Sequence, residues 1–74
     1  MTVCDLKKGE RAVVIKVELQ DEERARLRYL NVYTGAKISV LKVSRFKKIW
    51  VLQAKSAKFA LSRDVAQGVR VWRT

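Results

Sequence analysis

Helical spacing gives way to strand spacing inside one short stretch, Arg26-Leu27-Arg28-Tyr29-Leu30-Asn31-Val32-Tyr33-Thr34-Gly35-Ala36-Lys37-Ile38-Ser39-Val40. Leu27 and Leu30 stand at i and i+3, on one face of a helix. Asn31 falls where helices end in a left-handed residue, a conformation Asn tolerates. Gly35 supplies a turn, and Ile38 and Val40 then alternate as in a strand. A chain that must stop a helix and start a strand across so short a loop folds as a mixed, compact unit, not as a helical bundle.

The flanking segments extend this pattern. Leu6 is a candidate core plug, and Gly9 a turn. Arg11 to Leu19 reads as the first strand, rich in β-branched residues. Its alternation breaks: Ala12 and Val14 share one face, Ile15, Val17 and Leu19 the other, and a bulge near Val14 and Ile15 would turn both sets inward. Asp21 to Leu30 reads as the helix, with Asp21, Glu22 and Glu23 in its first turn and Arg24, Arg26 and Arg28 toward its end, as the macrodipole favours. Arg24's stem or Tyr29's ring edge could join Leu27 and Leu30 at the core.

Ala36 to Val43 is the second strand, slipping at Val40-Leu41, and Ser44 to Lys48 a basic turn. Ile49 to Ala54 is the third, with Trp50, Leu52 and Ala54 inward and Ile49 and Val51 outward. A turn, Lys55 to Lys58, leads to a short strand, Phe59 to Leu61. Ser62 to Gln67 is a helical turn capped by Ser62 and left at Gly68, and Val69 to Trp72 closes the chain. Trp50, Phe59 and Trp72 are candidate core positions. The three glycines fall at element boundaries, and there is no proline. The expected fold is mainly β: one domain over residues 1–74, a small SH3-like barrel of about five strands, with a helix after the first strand and a helical turn before the last.

The chemistry-bearing residue types are sparse. With His 0 and Cys 1, the usual general base, an internal disulfide and the zinc patterns all lack their residues. Cys4 reads as a small, partly buried residue or as a reactive thiol. Asp21-Glu22-Glu23, the one acidic cluster, is explained by the helix start. The expectation is no enzyme, no cofactor and no metal site. No apolar run approaches the roughly 20 residues that span a bilayer, and Met1 to Asp5 lacks a signal-peptide pattern. A cytosolic protein is therefore expected. Lys plus Arg number 17 against 7 acidic residues, a formal charge of +10. Such a field suits nucleic acid, an anionic membrane surface, or merely a solvated basic exterior. The arginine run Arg24, Arg26, Arg28 is either a solvated helix face with local ion pairs or a docking surface.

The central stretch resembles the FeoA family, whose pattern is roughly R-L-x-x-L-G-L-x-P-G-x-x-V-x-V. Leu27, Leu30, Val32, Gly35, Ile38 and Val40 match it. Leu6 and Gly9 match the family's opening, Ala12 and Val14 its first strand, and Ala60, Leu61, Ala66 and Val71 its closing pattern. Asn31 stands for the usual glycine and Thr34 for the usual proline. Arg45-Phe46-Lys47-Lys48 replaces a Gly-Pro turn. The resemblance implies a non-catalytic accessory protein of ferrous iron uptake. Such a protein would work near the inner membrane face and regulate FeoB, a membrane GTPase and transporter, by protein–protein contact.

For that contact, Ile49 and Val51 form the expected apolar anchor beside Val32 and Tyr33, rimmed by Lys47 and Lys48; a shifted register would instead make Ile49 and Val51 core. The patch could also meet a second copy of the chain. The competing reading is a basic SH3-like nucleic-acid-binding module. A third is a detached domain like the SH3-like ends of iron-dependent repressors, against which Met1 and the short length argue for a free-standing protein.

Overall fold

The computed structural model describes residues 1–74. A 3-10 turn at Val3–Asp5 precedes β1 (Arg11–Val17), α1 (Asp21–Tyr29), β2 (Lys37–Val43), β3 (Ile49–Ala54), β4 (Ala57–Ser62), the short helix α2 (Arg63–Ala66) and β5 (Val69–Arg73). The strands form one antiparallel sheet in the order β4-β3-β2-β1-β5. This is the expected SH3-like architecture with its helix after the first strand. One detail differs: no ladder joins β4 to β5, so the sheet is curled but not closed. Val3 of the opening turn and Ala66 of α2, each 0% exposed, help fill the interior beside that seam.

Both expected bulges are present. The pairing of β1 with β5 slips between Val14 and Lys16, and that of β2 with β3 between Val40 and Lys42. The extra residues are Ile15 and Leu41. The first bulge places Val14 and Val17 in the core, while Ile15 stays half exposed. Without it, the strand's side-chain period of two would leave one of the pair in water. The core otherwise follows the alternation. Ile38 and Val40 face inward from β2, Trp50, Leu52 and Ala54 from β3, and Val69 and Val71 from β5. Trp50 buries its ring, and its Nε1–H donates to the Leu6 carbonyl at 3.2 Å. That bond satisfies the one polar atom of a ring buried in the core.

Five expectations need correction. Ile15, expected inward with Val17, is 50% exposed because it is the bulge's unpaired residue. Trp72 is 68% exposed, because Val69 and Val71 take the inward positions of β5 and the pleat turns Trp72 out. Tyr29 is 91% exposed and adds nothing to the core. Ser62 precedes α2 but makes no side-chain cap bond; the Arg63 N–H donates instead to the Lys48 carbonyl at 2.9 Å. Phe59 only packs against the core's margin.

Candidate docking surface

The helix exit is built from the backbone. Asn31 takes a φ of 68°. Its N–H donates to the Arg28 carbonyl at 3.0 Å, and the Val32 N–H reaches back to the Leu27 carbonyl at 2.8 Å. This paired cap places an apolar residue two beyond the helix end onto the helix's last inward residue. Val32 is accordingly 1% exposed, like Leu27 at 2%. The expectation that Val32 lies on the surface is wrong for this reason: the left-handed turn at Asn31 folds it under the helix.

The remaining members of the expected patch do not converge. Tyr33 is half-buried and shares a cleft with Lys16, Arg24, Arg28 and Thr34. The Lys55 ammonium sits 5.9 Å from the centre of its ring. Lys55 directly follows the last residue of β3, whereas Ile49 begins that strand. At roughly 3.3 Å per residue the two ends lie on the order of 20 Å apart. Lys47, Lys48 and Ile49 therefore stand at one pole, and Tyr33 with Arg24 and Arg28 at the other. Ile49 is 43% exposed and Val51 half-buried, both on the outer face, so the expected register holds.

The arginine run divides as well. Arg24 pairs with Asp21 through its guanidinium, and Arg24 and Arg28 line a cleft with Ala25 and Tyr29. Arg26 faces the other way, toward a cleft with Glu23, Leu30, Leu61 and Val65.

Two surfaces were not foreseen. The loop between β2 and β3 holds Phe46 outward, 74% exposed among Arg45, Lys47 and Lys48. On the outer sheet face Trp72 lies opposite Val13, which lies opposite Lys37. Next to them Arg11, Lys37, Ser39, Gln53 and Lys55 line a polar groove. Trp72 was legible, since it alternates with Val69 and Val71; no periodicity marks Phe46, which belongs to no strand.

No three His, Cys, Asp or Glu side chains gather. Burial pushes the Cys4 thiol pKa up, against the opposing effect of the Thr2 hydroxyl, and its Sγ–H donates to the Arg63 carbonyl at 3.7 Å. No helix is long and apolar enough to cross a membrane.

The profile of the FeoA domain family matches residues 1–73. The chain is similar to the FeoA protein of Chlorobium tepidum, with 29% identity and a TM-score of 0.91 over 99% of this chain and 70% of that one. It shares its fold with iron(II) transport protein A of Clostridium thermocellum, at 19% identity and a TM-score of 0.91, over 100% of this chain and 46% of the other. A zinc-bound ScaR shares it too, at 18% identity and a TM-score of 0.85, over 100% of this chain and 37% of that one. No curated protein matches.

Proposed function

This chain belongs to the FeoA family, accessory domains of ferrous iron transport, and from that premise we propose that it acts without catalysis, by touching a membrane GTPase of the FeoB type. The observation that carries the reading is the family match over residues 1–73. Two further features support it. Polar side chains are absent from the core, so the chemistry available is that of the outer surface. That surface carries a net charge of +10, fitting work beside an anionic inner leaflet.

The contact we assign lies on the outer face of β3. Ile49 and Val51 supply the apolar anchor, and Lys47 and Lys48 the basic rim. Tyr33 with Arg24 and Arg28 forms a separate, secondary contact, and Val32 is outside both. Immobilised protein should capture a polytopic GTPase from detergent-solubilised membranes of the source cell. Val51→Asp should cut that capture roughly tenfold or more, a desolvated carboxylate having no partner in an apolar anchor, while the thermal midpoint stays within a few degrees. Undiminished capture by the variant would remove β3 from the contact, and capture of no GTPase would remove the reading.

One observation favours a second reading. Trp72 beside Arg11 and Lys37 joins an exposed ring to cations on one sheet face, the layout that stacks and neutralises single-stranded nucleic acid. Binding of an oligonucleotide that persists near physiological salt and is lost in Trp72→Ala would support it.

A further inference from the structure

The loop joining β2 to β3 combines three features that the fold itself does not need. Phe46 and Lys47 are consecutive non-glycine residues at positive φ, 67° and 51°. A Cβ makes that region unfavourable, and a large aromatic gains nothing there that glycine or asparagine would not supply. The residue, moreover, is 74% exposed and lies outside the core. Finally, the conformation is held from several directions. The Ser44 hydroxyl accepts from the Lys48 N–H at 3.2 Å and the Ile49 N–H at 2.9 Å. The Lys47 N–H donates to the Ser44 carbonyl at 3.0 Å. From α2, the Arg63 guanidinium donates to the carbonyls of Phe46 at 2.9 Å and Lys47 at 3.1 Å. A strained backbone persists only where its surroundings over-determine it, and such strain gathers where a surface is used.

The setting of the ring states the chemistry of what it meets. Arg45, Lys47 and Lys48 flank it, and Ile49, 43% exposed, follows. Lys7 and Lys8 line the adjoining cleft with Lys47 and Val43. The acid in that cleft, Asp5, already accepts the Thr2 N–H at 2.9 Å. Asp64 of α2 is exposed next to Arg63 and forms no ion pair. The Phe46 ring and the cations around it offer too little apolar area for the core of a stable protein interface, which falls to Ile49 and Val51 on β3. The ring and its cations match the boundary of a bilayer, where one or two side chains enter below the headgroups and cations meet the anionic lipids.

We propose that the Arg45–Lys48 loop is an anchor for an anionic lipid surface, with Phe46 inserted and Lys7, Lys8 and Arg45 on the headgroups, while Ile49, Lys47 and Lys48 stay with the β3 contact. This deepens the reading of the chain as a partner of a membrane protein and rests on it for its biological setting. The anchor would hold the protein at the bilayer plane and raise its effective concentration at the partner.

The test is sedimentation with protein-free vesicles at physiological salt. The intact protein should bind vesicles containing phosphatidylglycerol and leave vesicles of phosphatidylcholine alone. Phe46→Gly suits the backbone better, so it should fold at least as well, yet lower the partition roughly tenfold, as should Lys7→Glu with Lys8→Glu. Absence of binding to the anionic vesicles overturns the proposal. So does Phe46→Gly binding as tightly as the parent, which would reduce the attraction to charge alone. Vesicles hold no GTPase and detergent capture holds no bilayer, so each reading can fail separately. Loss of detergent capture in Phe46→Gly, without vesicle binding by the parent, would assign the loop to the protein partner and overturn the lipid assignment.

Discussion

At the scale of single residues, Asn31 and Gly68 illustrate opposite degrees of legibility. Asn31 sits one residue past a helical pair, and side-chain chemistry alone forecasts its left-handed turn. Gly68 looks equally like a turn glycine, but its reason is a close approach. A Cβ there would stand 2.8 Å from the Glu18 carbonyl oxygen and collide with the Leu19 side chain. The same approach allows the Glu18 N–H to donate to the Gly68 carbonyl at 2.6 Å. Gly68→Ala should therefore cost about 1–3 kcal/mol, the range for overpacking a tight contact, read as a lower denaturant midpoint. A variant as stable as the parent would mean that the end of β1 can move away.

At the scale of elements, α1 depends on very little. Leu27 is its one buried residue, with Leu30 packed at the core's margin. An isolated helix of nine residues is unstable in water, so tertiary anchoring sustains it. Leu27→Ala should cost about 2–5 kcal/mol by cavity formation and release α1 before the sheet. Amide exchange should then speed up in Asp21–Tyr29 more than in β1, β2 and β3; equal acceleration throughout would show a single cooperative unit. The loop after β2 is the reverse case, an element held well in an unfavourable conformation. Phe46→Gly should raise stability by roughly 0.5–1 kcal/mol, left-handed strain relieved less the entropy of glycine. Both bulges were readable because two apolar pairs broke a period of two, leaving a one-residue slip as the economical repair.

At the scale of the whole molecule, charge dominates. Seventeen cations against seven acids on a body 29 × 22 × 22 Å leave few neutralised by internal pairs, which are Arg24–Asp21, Arg70–Glu18 and Arg73–Glu10. Such a field acts beyond contact distance and is screened over ~8 Å at physiological salt. Association with an anionic partner should slow steeply as salt is raised, while dissociation, governed by the apolar anchor, changes little. Surface plasmon resonance across a salt series separates the two. A dissociation rate carrying most of the salt dependence would place ion pairs, not the anchor, at the centre of the contact.

Local rules sufficed for much of this protein. Periods of 3.6 and 2, turn residues at the boundaries and two broken alternations determine the helix, the strands, their bulges and nearly all of the core, because each is a preference over a few neighbouring residues. The family resemblance rests on those same positions. What only the tertiary structure decided is which surface residues become neighbours. Tyr33 and Ile49 each keep part of their surface in solvent, yet the direction of β3 sends them to opposite poles. The ring of Phe46 was uninformative in sequence for a related reason: its loop is held by bonds donated by Arg63, two strands further along the chain, and no local period records a contact of that range.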